Sequence, residues 1–217
     1  MSSAMLELIL MATLDTLYMV GVSGLVAAAL GVPLGVLLYV TRPRQILAMP
    51  TLNTALGMIT NIGRSIPFII LMVAIIPFTR FIVGSSIGTN AAIVPLTLAA
   101  IPFVARLVEG ALNEVPPGLV EAAQSMGATP YQIITKVLLP EARGGIITGL
   151  TITAVTLVSY SAMAGAVGGG GLGDLGIRYG YNRFNPVVML ITVAILVVMV
   201  QGFQSLGDAL VRKADHK

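Results

Sequence analysis

The sequence predicts an all-α membrane protein whose helices cross the bilayer several times. Of its 217 residues, 56% are hydrophobic and only 10% are charged, whereas about a quarter of the residues in soluble domains are charged. The mean hydropathy is +0.95. Several apolar stretches also reach the roughly 20 residues that a helix needs to cross the hydrocarbon core of a membrane.

Five transmembrane helices are predicted, and they form a single transmembrane domain over residues 1–217. Four of the spans lie at about 16–40, 89–109, 144–166 and 186–207. The other span, about 54–79, is less regular, because the uncharged stretch between Arg64 and Arg80 is too short to cross the bilayer alone. Its helix must therefore begin before Arg64 and carry this arginine within it.

The distribution of positive charge predicts the orientation. With the N-terminus outside and the C-terminus in the cytoplasm, eight cations lie inside, three lie outside, and Arg64 is unassigned. The inner cations are Arg42, Arg44, Arg106, Lys136, Arg143, Arg212, Lys213 and Lys217, and the outer cations are Arg80, Arg178 and Arg183. Because cytoplasmic segments carry the excess of lysine and arginine, this orientation is preferred. Residues 110–143 then form the long cytoplasmic loop, and topology accounts for the basic charge without a nucleic-acid partner.

Several kinds of chemistry lack the residues that they need. The chain has no cysteine, and its one histidine is His216, so disulfides, thiol nucleophiles and most zinc sites are excluded. An intramembrane hydrolase needs a nucleophile beside a base, and Ser159 and Ser161 have no such partner in the sequence. We therefore predict no metal site and no catalytic residue.

The cytoplasmic loop contains EAAQSMGATPYQIITKVLLPEA, residues 121–142, which predicts a helix, a tight turn and a second helix. The apolar stripe of the first helix, at positions i, i+3, i+4 and i+7, is Leu119, Ala122, Ala123 and Met126. Gly127 suits the left-handed residue that ends a helix. Thr129, Pro130 and Gln132 then provide an N-cap, a proline at the first helical position and a capping-box partner.

These two helices need a surface to cover their apolar sides, because helices this short are not stable alone in water. The surface could be the transmembrane bundle of the same chain or the lipid head groups. It could equally be a groove in a partner protein. Amphipathicity alone leaves these alternatives open.

The loop resembles the signature loop of the permease subunits of binding-protein-dependent ATP-binding-cassette importers. The matching residues are Glu121, Ala122, Ala123, Gly127, Val137, Leu139 and Pro140, with valine at 137 where the family usually has isoleucine. The resemblance implies the type I importer permease fold, and it implies that residues 117–138 are coupling helices that dock on a cytoplasmic ATPase. The implied coupling residues are Leu119, Glu121, Ala122, Ala123, Met126, Gly127, Ala128, Val137, Leu139 and Pro140.

The chain has no motif that would bind ATP itself. No G-x-x-x-x-G-K-[ST] sequence occurs, so this subunit is not predicted to be an enzyme or to hold a cofactor. The resemblance implies that a partner ATPase dimer binds ATP and magnesium. One G-x-G-x-x-G match, at Gly171, Gly173 and Gly176, lacks the strand and βαβ unit of a dinucleotide site, and we interpret it as a chance match.

The glycine-rich run AGAVGGGGLGDLGIRYGY, residues 164–181, predicts an external loop with tight turns and close backbone approach. Its contact side chains would be Asp174, Arg178, Tyr179 and Tyr181. Composition alone favours a plain connecting turn. The resemblance implies instead that a soluble binding protein, external or periplasmic, docks on this side.

The fourth span has small and weakly polar residues on one face, namely Gly145, Gly149, Thr153, Thr156 and Ser159. Such spacing allows tight helix contact or a weakly polar lining. Packing within the same subunit is the alternative. The resemblance implies two permease subunits per transporter, most simply two copies of this chain with the solute path between them.

Arg64 is costly at membrane depth, where charged side chains face protein or water. We hypothesise that it lies at the subunit interface near a closed gate, with Glu109 or Asp208 as its partner. Alternatively, residues 51–63 lie along the cytoplasmic interface and Arg64 extends to the head groups there. Arg106 and Glu109, at i and i+3, are predicted to form a local ion pair.

The substrate is indicated only by resemblance. NIGRSIPFIILMVAIIPFTR, AAIVPLTLAAIPFVARLVEGAL and YSAMAGAVGGGGLG look like the methionine-uptake permeases of bacterial inner membranes, which implies transport of L- and D-methionine. A permease for another small solute is one alternative. An ion-coupled secondary transporter is a second, but its spans would carry carboxylates, and these spans contain almost none.

Overall fold

The computed structural model describes residues 3–215, and within them the chain is helical with no β-strand. This confirms the predicted all-α fold. Four helices are long and apolar enough to cross a membrane, and a bent pair of shorter helices would make a fifth span. His216, the one histidine, and Lys217, counted above among the inner cations, lie outside the described residues.

In the second half of the chain, the helix Arg143–Ala166 coincides closely with the predicted span, and the helix Pro186–Asp215 begins at the predicted residue but extends beyond residue 207. In chain order the helices are α1 (Ser3–Val40), α2 (Pro50–Ser65), α3 (Phe68–Ala74), α4 (Ile76–Val83), α5 (Thr89–Asn113), α6 (Pro117–Ser125), α7 (Pro130–Ile133), α8 (Leu139–Glu141), α9 (Arg143–Ala166), α10 (Gly171–Leu175) and α11 (Pro186–Asp215). Two π-helical stretches, Ile134–Leu138 and Gly176–Tyr181, follow α7 and α10.

The frame of the fold is the close pairing of α1 with α5. Glycines on α1 remove the side chains that would hold the two helices apart. A Cβ atom built on Gly35 would lie 2.6 Å from the carbonyl oxygen of Ala105 and 2.7 Å from the Cβ of Val108. A Cβ atom on Gly31 would meet the side chain of Val104 in the same way, at 2.7 Å. Val104 and Val108 are each 1% exposed, so this contact lies at the centre of the hydrophobic core.

The predicted continuous helix over about 54–79 is wrong. In its place α2 and α3 are bent by 100°, and α4 follows as a separate helix. Ile66 has extended backbone angles, φ −83° and ψ 122°, because a residue that precedes a proline disfavours the helical region. Pro67 is the N-cap of α3 and Pro77 lies in the first turn of α4, where the missing N–H of proline removes no helical hydrogen bond.

The glycine-rich run after α9 is not a plain loop. It turns tightly, as predicted, with φ of 88° at Gly168 and 78° at Gly170, but it then forms α10 and a π-helical turn. The backbone N–H of Leu172 donates to Oγ1 of Thr16 at 2.9 Å, which fastens α10 to α1. Because Leu172 is fully buried, this segment is part of the packed core.

A second hydrophobic cluster explains why α1 is already helical well before residue 16, where the predicted span starts. Its buried members are Ile9, Ala12, Leu172, Leu175 and Val188. They come from α1, α10 and the first turn of α11, so the early residues of α1 cover the α10 segment. Along the sequence, each of these residues lies among other apolar residues, and nothing there singles it out. Only the fold brings the five residues together.

We predict that Gly35→Ala destabilises the protein, because the new Cβ atom would overlap the backbone of α5. Overpacking of this kind costs roughly 1–3 kcal/mol. Thermal unfolding of the purified protein in detergent should therefore show a lower midpoint.

Gly21→Ala on the same helix is the matched control, since a Cβ atom there would meet nothing within 4 Å. Alanine is also the better helix former, by about 1 kcal/mol, so the midpoint should stay unchanged or rise. Equal effects of the two substitutions would contradict the close approach of α1 and α5.

Candidate functional site

The predicted helix, turn and helix of the long loop are present and closely defined. α6 ends in a Schellman motif, in which the N–H of Ala128 donates to the carbonyl of Ala123 at 3.0 Å and that of Gly127 to Gln124 at 2.9 Å. Gly127 has φ of 78°, the left-handed conformation that glycine adopts without strain. The turn therefore depends on the residue that the sequence singled out.

The second helix begins with the predicted capping box. The N–H of Gln132 donates to Oγ1 of Thr129 at 3.3 Å, and the N–H of Thr129 donates to Oε1 of Gln132 at 2.9 Å. Pro130 occupies the first turn, where its missing N–H has no consequence. These contacts fix the start of α7 directly after the turn.

The apolar stripe of α6 is divided between two environments. Val120 and Ala123 are buried, at 8% and 4% exposed, and they pack into the main hydrophobic core. Leu119 is 41% exposed and Met126 is 82% exposed, and Ala122 is also exposed. Ala123 was predicted with them as a docking residue, but it packs on its own subunit. Leu119, Ala122 and Met126 are hereafter called the outer face of α6.

The second helix holds the loop on the transmembrane bundle. Ile133 and Leu138 are each 1% exposed and belong to the main core. The other loop residues named above are less enclosed: Ala128, Val137 and Leu139 are half-buried, and Glu121 and Pro140 are exposed. The loop therefore has an anchored inner side and an uncovered apolar outer face, and a contiguous uncovered apolar patch is typical of an interaction site.

A charge cluster joins three helices near the ends of α1 and α5. The predicted ion pair of Arg106 and Glu109 is present, with Nη1 2.5 Å from Oε2. The sequence did not indicate the second partner, Arg42, whose Nη2 lies 2.7 Å and whose Nε lies 3.0 Å from Oε1 of Glu109. The side chain of Glu109 is only 5% exposed. Two guanidinium groups thus neutralise one buried carboxylate.

The same arginines reach α2 and the end of α5. Nη2 of Arg106 donates to the carbonyl of Gly57 and to Oδ1 of Asn61, each at 2.9 Å. Nη1 of Arg42 donates to Oδ1 of Asn113 at 2.9 Å. These bonds hold α1, α2 and α5 around an open cavity of about 570 Å3 that has both polar and apolar walls. The only sequence signal for Arg42 was its place at the predicted inner end of the first span.

Arg64 does not pair with the partners that were considered for it. Glu109 is bound by Arg42 and Arg106, and Oδ1 of Asp208 accepts from the amide of Gln204 at 3.1 Å. Arg64 lies exposed in the last turn of α2. Because the chain bends by 100° after this helix, Arg64 does not sit inside a straight span.

The small residues of α9 mostly pack within the subunit. A Cβ atom on Gly145 would lie 2.8 Å from that of Ala111 on α5, and one on Gly149 would lie 3.0 Å from that of Leu107. Thr153 is 2% exposed. These contacts favour the alternative that the three residues pack within their own subunit over a contact between subunits. Ser159 is exposed.

The side chains predicted for external contact lie on α10 and the π-helical turn. Asp174 and Arg178 form an ion pair at 3.0 Å, and Tyr179 lies beneath the guanidinium of Arg183, 4.4 Å from the ring centre. Tyr181 is 66% exposed. The first three are thus engaged with neighbours in the chain, and Tyr181 remains open to a partner.

Comparison with known proteins places these features in a family. Residues 31–216 match the model of the family described as binding-protein-dependent transport system inner membrane component. A relative from Vibrio cholerae, the probable D-methionine transport system permease protein MetI, is 64% identical over 211 residues, which are 97% of this chain and 94% of the relative. The D-methionine permease MetI of Escherichia coli K12 is 58% identical over 165 residues, 76% of each chain.

The chain is also similar to solved structures of ABC transporters. A chain of the MetNI methionine ABC transporter in an inward-facing conformation superposes with a TM-score of 0.97 at 55% identity, covering 99% of both chains. An amino acid ABC transporter solved with histidines has a TM-score of 0.79 at 18% identity, over 97% of this chain and 95% of the other. The second likeness shows the fold alone.

We predict that Glu109→Gln destabilises the protein strongly, because the substitution removes the charge that neutralises Arg42 and Arg106. Breaking one side of a buried ion pair costs about 3–5 kcal/mol, and less where the remaining charges reach water, as these two arginines partly do. The measurement is the thermal unfolding midpoint in detergent.

Glu114→Gln serves as the control, since Glu114 is exposed and follows α5 directly. Its midpoint should remain close to that of the unmodified protein. A Glu109→Gln protein as stable as this control would show that the cluster does not hold the helices together.

Proposed function

Because the chain belongs to the family of inner membrane components of binding-protein-dependent transport systems, we propose that it is the permease subunit of an ATP-driven methionine importer. The relatives named as D-methionine permeases align over nearly the whole chain, and the likeness to the MetNI transporter extends over 99% of it. L-methionine is proposed as a substrate beside the D form. The site of action is a bacterial inner membrane.

The observation that carries the proposal is the uncovered outer face of α6 on a firmly anchored loop. Leu119, Ala122 and Met126 occupy positions i, i+3 and i+7, the spacing with which an amphipathic helix enters a groove of a partner protein. We propose that this partner is a cytoplasmic ATPase dimer. The chain has no P-loop of its own, so ATP and magnesium are assigned to that partner.

The packing suggests how motion of an ATPase would reach the membrane. A displacement of α6 acts on Val120 and Ala123, which share one core with Ile133 and Leu138. Packed cores transmit displacement because they are dense and deform little. The same core contains the α1–α5 pair, and the Glu109 cluster adds α2 to the moving unit. The chain itself then works as a mechanical element and not as an enzyme.

Three further assignments belong to this proposal. A second copy of the chain completes the transport path, and Arg64 and Ser159, both exposed, are candidates for the contact between copies. An external binding protein delivers the solute. Tyr181 is the strongest candidate for its contact surface, with Asp174, Arg178 and Tyr179 shaping the helix that presents it.

The experiment is reconstitution in proteoliposomes with the partner ATPase and the binding protein. We expect uptake of labelled methionine that requires ATP on the side of the membrane where the ATPase is bound. This uptake should persist when ion gradients are dissipated. Other amino acids serve as competing substrates. Uptake of a different solute in preference to methionine would show that methionine is not the main substrate. Uptake that follows an ion gradient without ATP would overturn the assignment as an ATP-driven importer.

The same preparation tests the outer face of α6. Ala122→Asp should lower ATP-dependent uptake about ten-fold or more, because the carboxylate would be desolvated against the ATPase without a partner. Gln124→Asp is the matched control, since Gln124 is exposed on the same helix and points roughly 200° away. Similar uptake by both variants would contradict docking through this face.

A further inference from the structure

A polar cavity of about 450 Å3 opens beside the outer half of α1, on the side that the charge distribution predicts to be external. It lies between α1, the end of α4 and the first turn of α5. Its lining residues are Asp15, Tyr18, Val83, Ser85, Ile87, Gly88, Thr89, Asn90 and Ala91. The predicted coupling, gate and external contact residues all lie elsewhere, so this cavity has no role in the function proposed above.

Asp15 is the only charged residue among those that line the cavity. Within residues 3–215 the ion pairs involve the carboxylates of Glu109 and Asp174, so Asp15 has no cationic partner there. It precedes Val40 by about 37 Å along the helix axis, at 1.5 Å per residue, whereas the hydrocarbon core is about 30 Å thick. A half-buried carboxylate thus faces a cavity at the outer boundary of the membrane.

The rest of the lining is of two kinds. Tyr18, Thr89 and Asn90 supply neutral hydroxyl and amide donors, and no side-chain hydrogen bond within residues 3–215 takes up the hydroxyl of Tyr18 or the amide of Asn90. Ser85 differs, because its hydroxyl already donates to the carbonyl of Ile87 at 2.9 Å. The apolar walls are Val83, Ile87 and Ala91.

We propose that this cavity binds a free α-amino acid as its zwitterion, with Asp15 as the counter-ion of the ammonium group. The carboxylate of the ligand would accept hydrogen bonds from Tyr18, Thr89 and Asn90, and an apolar side chain would lie on Val83 and Ile87. The proposal rests on the proposed function for the identity of the amino acid, namely methionine.

The composition of the lining favours this ligand over a metal cation. Hard cations such as calcium take six to eight oxygen ligands, usually with several carboxylates, and this cavity has one. An ammonium group needs one anionic acceptor with additional neutral acceptors, and a zwitterion also needs donors and an apolar surface. The cavity provides all of these, and its volume exceeds that of a single amino acid side chain with its backbone.

Such a site would hold the amino acid on the permease before it enters the path. The external binding protein would then not be the only part of the system that recognises the ligand. Because Asp15 contacts the ammonium group, amino acids with a blocked amine would be excluded at this point whatever their side chain. Recognition here would be of the amino acid class and not of the thioether.

The test is equilibrium binding of radiolabelled methionine to the purified permease–ATPase complex in detergent, without the binding protein. We expect saturable binding that is weakened about ten-fold or more by Asp15→Asn, because a charge-assisted bond is lost. Asp15→Glu should restore much of the affinity. N-acetylmethionine, which has no ammonium group, should not compete.

Glu7→Gln is the control, since Glu7 is an exposed carboxylate on the same helix and outside the cavity. Absence of binding, or equal binding by the Asp15→Asn and Glu7→Gln complexes, would overturn the site. An unchanged thermal unfolding midpoint for each variant complex would show that its fold is intact. If the proposed function is wrong, the complete reconstituted system will show no ATP-dependent methionine uptake. That result comes from a separate measurement.

Discussion

The neutralisation of Glu109 is the constraint on which the arrangement of α1, α2 and α5 depends. A carboxylate that is 5% exposed is unfavourable unless opposite charge and hydrogen bonds surround it. Arg106 comes from the same helix, but Arg42 must be brought from the end of α1, and Arg106 must also reach the backbone of α2. The buried charge therefore ties the ends of α1 and α5 to each other and to the middle of α2.

Close helix packing completes this frame. Gly31 and Gly35 bring α1 against α5, and the loop that contains α6 is mounted on the resulting core through Val120, Ala123 and Ile133. Among the surfaces that remain uncovered are the outer face of α6 and the cavity beside Asp15. In the two proposals above, this frame would present the outer face of α6 to an ATPase and the Asp15 cavity to an amino acid.

Local features of the loop were predictable from sequence because they depend on neighbours in the chain. Gly127 and the Thr129–Gln132 capping box are of this kind. The periodicity of α6 predicted an apolar stripe, but it could not tell that Ala123 faces inward and Ala122 outward, since that depends on where the bundle lies. Arg42 and Glu109 are 67 residues apart, and no local pattern joins them. The break before Pro67 was not predicted, because the length that a membrane span needs favoured one helix over this region.

The central claim is that the outer face of α6 is the docking surface for an ATPase. The chain contains no cysteine, so a cysteine introduced as Met126→Cys is the one thiol of this chain that a membrane-impermeant maleimide can label in inside-out vesicles. The account predicts that assembly with the ATPase protects this position strongly, while Tyr181→Cys, labelled in right-side-out vesicles, reacts equally with and without the ATPase. Labelling of the cysteine at 126 that is unchanged by the ATPase would contradict the account.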